Sequence, residues 1–197
     1  MSELPLPPGS HRYGPVCGGW LRGARIVRSP NCGERPAGVA VDLLVIHNIS
    51  LPPGEFGGRH IDDFFRNVLE PSAHPYFARI RSLQVSAHLL IDRAGVVTQY
   101  VDFNRRAWHA GVSSFCGREN CNDFSIGIEL EGSDYHPFTD LQYEALIQVT
   151  RHLRRAYPAI ATSRVVGHSD IAPGRKTDPG PLFDWGRYRQ GMMAADL

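Results

Sequence analysis

The sequence predicts a single α/β domain, a mixed central β-sheet flanked by helices, and three observations carry that prediction. Short apolar runs of strand length recur at residues 42–46, 125–130 and 164–167. Residues 141–156 instead repeat apolar side chains at helical spacing. Between them, two β-prone runs flank a four-residue turn, so hairpin and crossover connections mix in one chain. At 197 residues, one core can bury roughly 70% of the surface of the unfolded chain. One domain at residues 20–190 is therefore expected, between flexible tails at 1–19 and 191–197.

The elements follow in order. Residues 1–19 are rich in Pro, Gly and Ser and read as a tail. DLLVI, residues 42–46, reads as a buried strand that delivers His47 at its end. SLPPGEFGG, residues 50–58, can only be a loop, and a helix is expected over 61–69, stopped by Pro71. AHLLIDRAGVVTQYV reads as a hairpin turning at residues 92–95, with Gly95 in the positive-φ position. In SIGIEL the acids Glu129 and Glu131 share one strand face by alternation. Thr139 and Gln142 form a capping box for the clearest helix, whose apolar stripe is Leu141, Ala145, Leu146, Val149, Leu153 and Ala156. RVVG, residues 164–167, is a last strand that ends at His168.

Composition excludes some classes of function. A net charge of +1 gives no basic surface for nucleic acid, and no apolar stretch approaches the roughly 20 residues of a membrane span. The N-terminal segment has Glu3, Pro5, Pro7 and Pro8 where a secretory signal has a basic start and an apolar run, so a cytoplasmic protein is expected. The four cysteines, Cys17, Cys32, Cys116 and Cys121, read as reduced thiols. The alternative, Cys116 and Cys121 as half of a metal site, lacks a second cysteine pair.

His47 and His168 each end a short apolar strand, and the turn-rich segment SDIAPGRKTDPG after His168 offers Lys176 and Asp178. Two neutral imidazoles and a carboxylate, with a fourth position open to water, make the ligand set of a catalytic zinc site. Each residue also has a plainer reading: a hydrogen-bonded structural histidine, or a turn aspartate beside Pro and Gly. For Glu129 and Glu131 the plainer reading is a salt-bridged strand acid, and for Trp108 a core aromatic.

Five segments narrow the choice: LLVIHNISLPPGEFGG, SAHLLIDRAG, RAWHAGVS, CNDFSIGIELEG and GHSDIAPGRKTDPG. In this order, across residues 19–188, the chain resembles the zinc-dependent N-acetylmuramyl-L-alanine amidases. These are related to phage lysozyme amidases and peptidoglycan recognition proteins. Within the family it looks like the cytosolic members that act on 1,6-anhydromuropeptides. The resemblance implies hydrolysis of the amide between the muramyl lactyl group and L-Ala during wall recycling, with an indirect effect on β-lactamase induction. It implies a Zn2+ cofactor on His47, His168 and Asp178, with Lys176 stabilising the oxyanion. Glu129 is then the proton-transferring acid, and Glu131 its fallback. Asn48, Trp108 and His109 are implied to bind substrate, whereas His60, His74 and His88 read as packing residues, as supports behind the site residues, or as surface residues. The expected partner is a small muropeptide and the expected state a monomer. Two alternatives remain: an amidase on intact murein in the periplasm, and a muropeptide-binding module without catalysis. Relatives of the second kind lack a metal ligand, whereas all three are present here.

Overall fold

A computed structural model describes residues 13–194 of the chain. Six strands build the central sheet: β1 (Arg25–Ile26), β2 (Leu43–Ile49), β3 (Leu89–Ile91), β4 (Val97–Gln99), β5 (Ser125–Glu131) and β6 (Val165–Gly167). Their order is β6-β2-β5-β3-β4-β1. The first four run parallel, and β4 reverses through the hairpin before β1 pairs parallel to it. The hairpin turn is the expected one. Gly95 has φ +74°, and a Cβ there would lie 2.6 Å from the Leu141 carbonyl oxygen. Asp92 Oδ1 accepts from the N–H groups of Ala94 and Val96 and closes the turn.

One face of the sheet packs beneath α3 (Asp140–Ala156) and α5 (Trp185–Met193), where Leu44, Ile46, Ile126 and Ile128 meet Leu146, Val149 and Leu153. The capping box at the start of α3 is present. Gln142 N–H donates to Thr139 Oγ1 at 3.2 Å, and Thr139 N–H donates to Gln142 Oε1 at 3.0 Å. The stripe differs by one residue from expectation. Leu141 is 51% exposed, and Gln142 takes the inward place. Its amide donates to the carbonyls of Ile91 and Glu131, two strand-end acceptors that a leucine could not serve.

The other face is covered in two halves. α1 (His60–Phe65) and α2 (Pro75–Ile80) pack Phe64, Phe65 and Phe77 over β3 and β4. The segment 105–124, which holds three strands of two or three residues and a 3-10 turn, and α4 (His168–Ile171) cover β2 and β5 with Ala110, Cys121, Phe124 and Ile171. The helix expected over 61–69 stops at Phe65. The Phe65 carbonyl is taken by Ser29 Oγ at 2.5 Å and Asn31 Nδ2 at 3.3 Å, and Asn67 turns the chain at φ +61°.

The domain also begins earlier than its expected tail allows. Tyr13 is buried, its hydroxyl donating to Gly95 O and accepting from Val97 N–H. Residues 16–21 form a small hairpin held by Gln99, which donates to Gly19 O and accepts from Leu21 N–H. The remainder of that expected tail, 1–12, lies outside the described residues, as do 195–197 of the C-terminal one; residues 191–193 belong to α5. The four cysteines are free thiols.

Candidate metal centre

Strand register assembles the site. His47 lies inside β2 rather than after it, because pairing with β5 runs on to Ile49 opposite Glu131. The same register sets Glu129 beside His47, so both side chains leave one sheet face, on strands about 4.8 Å apart. On the other flank Gly167 pairs with Ile46, and the next residue, His168, opens α4 next to His47. Asp178 arrives on the returning loop. Ser169 N–H donates to the Asp178 carbonyl at 3.0 Å, and Asn48 Nδ2 donates to Pro179 O at 3.1 Å. Gly167 permits this approach, since a Cβ on it would lie 2.8 Å from Pro179 Cδ.

Three donor atoms therefore converge. His47 Nδ1 and His168 Nδ1 are 2.9 Å apart, and each is 3.0 Å from Asp178 Oδ2. Among the described residues this is the one cluster of His, Cys, Asp or Glu able to hold a metal ion. Burial pulls His47 down to about 4, outweighing the pull of Asp178, so its imidazole is neutral as a ligand requires. Burial alone would raise the Asp178 carboxyl, but His168 and His47 outweigh it and hold Asp178 well below the usual carboxylate range. His168 Nε2 lies 3.1 Å from the Ala110 carbonyl, which can only accept. Arg175 Nη2 lies farther from the same nitrogen, at 3.4 Å, and donates to the Ala110 carbonyl at 2.6 Å. The shorter Ala110 contact favours the His168 ring proton on Nε2, with the Nδ1 lone pair facing the other two donors. A bare nitrogen and a carboxylate oxygen at 3.0 Å repel unless a cation stands between them. Nitrogen, nitrogen and oxygen donors so spaced fit an ion with bonds of roughly 2.0–2.2 Å.

The other predicted residues take different places. Glu129 Oε2 is buried with no hydrogen-bond partner among the described residues. Burial raises the Glu129 carboxyl well above its ordinary value, the charge of Asp178 adds to this, and Lys176 opposes it. Lys176 is exposed, and its charge acts on both Glu129 and His47. Glu131 is engaged elsewhere, accepting from the N–H groups of Gly57 and Arg93, which ties two loops to β5. Asn48 donates to Asp134 Oδ1 and Pro179 O, so its amide clamps the loop that carries Asp178. Trp108 is partly exposed, with its backbone paired to Ser86. His109 points inward, its Nδ1 2.9 Å from His47 Nε2. His88 is fully buried, accepting from Gly127 N–H at Nδ1 and contacting Arg105 O at Nε2, while His74 caps α2. Sequence reasoning missed Ala110, Ser125 and Asn122. Their parts are played by a carbonyl, a hydroxyl and an amide that no spacing rule marks.

Comparison with known proteins bears directly on this geometry. Residues 37–181 match the family model described as N-acetylmuramoyl-L-alanine amidase. The chain belongs to that family. A relative from Escherichia coli (strain K12), 1,6-anhydro-N-acetylmuramyl-L-alanine amidase AmpD, is 61% identical over 171 residues, covering 87% of this chain and 93% of its own. Its counterpart in Haemophilus influenzae is 58% identical over 170 residues, covering 86% and 92%. A crystal structure of an AmpD derivative superposes with a TM-score of 0.87 at 58% identity, covering 89% of this chain and 98% of that one. The amidase AmiD of E. coli was solved with the substrate anhydro-N-acetylmuramic acid-L-Ala-D-gamma-Glu-L-Lys. It matches at a TM-score of 0.59 and 32% identity, over 84% of this chain and 67% of that one. The amidase fold expected from the sequence, a mixed sheet between helices, is borne out, and so is the enzyme class.

Proposed function

We propose that this amidase hydrolyses the bond between the lactyl group of a 1,6-anhydro-N-acetylmuramyl sugar and the L-Ala of its stem peptide, using zinc on His47, His168 and Asp178. One observation carries the reading. Three donors meet within 3.0 Å beside a buried carboxyl whose Oε2 has no hydrogen-bond partner among the described residues, in a chain that spans over 90% of relatives that are near 60% identical and named for this activity. The cytoplasmic location, the monomeric state and the role in wall recycling belong to the same proposal and rest on that likeness.

When bound, zinc supplies a Lewis acid and brings the pKa of water toward roughly 7. The chain does the rest. Glu129 Oε2, free of other partners, takes the proton of the attacking water as hydroxide adds to the amide carbonyl carbon. The same carboxyl then passes that proton to the L-Ala nitrogen as the C–N bond breaks, leaving a free lactyl carboxylate and a free amine. A carboxyl whose pKa is raised by burial suits this two-way transfer near neutral pH. The Lys176 ammonium donates to the carbonyl oxygen while that atom gathers negative charge. Asn48 keeps Asp178 in place from behind.

Mass-spectrometric product analysis on an anhydromuramyl tripeptide, its reducing muramyl counterpart and intact murein tests the assignment. Release of free tripeptide from the anhydro substrate, with the others far slower, is the expected result. Equal cutting of all three shifts the reading to a wall-remodelling amidase, and no cutting by the zinc-loaded protein overturns it.

A further inference from the structure

His47 is held from behind by a second imidazole, and the protons along that contact can be followed to their end. Ser125 Oγ lies 2.6 Å from the Cys121 carbonyl, which can only accept, so the single hydroxyl proton is committed there. Ser125 Oγ also lies 3.2 Å from His109 Nε2, and having no second proton it must accept from that nitrogen. A neutral His109 protonated at Nε2 has a bare Nδ1, and this atom is 2.9 Å from His47 Nε2. His47 must then carry its proton on Nε2, which leaves the Nδ1 lone pair facing His168 and Asp178.

We propose that His109 is a positioning residue that sets the tautomer and ring orientation of His47 for metal binding, through a relay from the Cys121 carbonyl by way of Ser125. The inference rests on the zinc site proposed above. It replaces the substrate-binding role expected for His109.

A second, independent feature supports it. Gly127 lies directly beneath the ring: a Cβ there would stand 2.5 Å from His109 Cγ and Nδ1. A glycine in the middle of a buried strand weakens the strand and is explained where another group must approach closely. The backbone beneath the ring is fixed as well, since the N–H groups of His109 and Ala110 both donate to Asn122 Oδ1, at 3.0 and 2.8 Å. His88, the other nearby imidazole, does not compete for His109, because its two nitrogens are engaged by Gly127 N–H and Arg105 O. The two ligand histidines are thus fixed by different devices, His168 by the Ala110 carbonyl and His47 by a neutral imidazole. Partners of this kind hold ligand rings in place, and their loss typically weakens metal binding about tenfold to a hundredfold.

The test measures zinc affinity by chelator competition in the full chain and in His109→Phe, His109→Asn and Ser125→Ala. His109→Phe keeps a ring without an acceptor and is expected to weaken zinc about tenfold to a hundredfold. His109→Asn can place its Oδ1 where Nδ1 stood and is expected to restore most of that loss. Ser125→Ala frees the relay and should fall between. Nitrogen-15 NMR of the unmodified zinc-loaded protein reads the tautomers directly and needs no variant to fold. It should show His109 neutral with its proton on Nε2. A proton on His109 Nδ1, or unchanged affinity in a folded His109→Phe, overturns the relay while leaving the zinc site standing. Failure of the unmodified chain to bind zinc overturns the site and the relay together.

Discussion

Asp178 and Glu129 face the same site under opposite electrostatic conditions. Asp178 sits against two imidazoles and is held ionised despite its burial, as a ligand must be. Glu129 is buried, its Oε2 has no hydrogen-bond partner among the described residues, and the charge of Asp178 pushes its proton affinity up further. Environments that separate two carboxyl groups in this way suit them to different work, and the proposed roles are ligation for Asp178 and proton transfer for Glu129. Glu129→Gln should therefore lower kcat by about a hundredfold to ten-thousandfold while zinc remains bound one to one. Lys176→Ala should lower kcat by on the order of a hundredfold or more, with KM changed far less. Steady-state kinetics beside metal analysis checks both. A Glu129 variant that loses zinc, or a Lys176 variant with normal turnover, contradicts the assigned roles.

At the scale of elements, local signals and distant contacts part company. Thr139 and Gln142 announce the start of α3 because a capping box is complete within four residues. Thr139→Ala should cost about 1 kcal/mol, read as a fall in Tm of roughly 2–4 °C. An unchanged Tm would place the start of α3 under the control of tertiary packing alone. The hairpin turn at residues 92–95 and the strands that carry His47, Glu129 and His168 were legible for the same local reason. The end of α1 was not, because the groups that capture the Phe65 carbonyl, Ser29 and Asn31, lie more than thirty residues away. Leu141 misled because periodicity reads hydrophobicity alone, and the adjacent Gln142 is needed inside for its amide. The residues that converge, His47, His168 and Asp178, stood out by motif, yet the contact of His109 with His47 depends on how segment 105–124 folds across β5. The one trace it leaves in the sequence is Gly127, a glycine inside a strand.

Over the whole molecule, the face beneath α3 and α5 is mostly apolar, while the opposite face buries histidines and carboxyl groups around the candidate metal site. No helix among the described residues is long and apolar enough to cross a membrane. Burying neutral histidines makes stability depend on pH. Burial, aided by the charge of Arg35, pulls His88 down to about 3 from an ordinary value of 6.5. Below pH 6.5 the unfolded chain binds a proton that the folded one refuses, so stability is complete above that pH and declines as pH falls toward 3. His88 alone should remove about 2 kcal/mol between pH 7 and pH 5, measured as a lower urea midpoint. An equal fall in a folded His88→Gln variant would mean that groups other than His88 carry it. Dependence on zinc is measured by titrating chelator-stripped protein with Zn2+ while release of free peptide from an anhydromuramyl tripeptide is followed at each step. Activity should be absent at the start, rise linearly and level off at one zinc per chain, and an Asp178→Ala variant should fail to recover. Full activity in the stripped protein, or saturation at one zinc by the Asp178→Ala variant, would contradict the account.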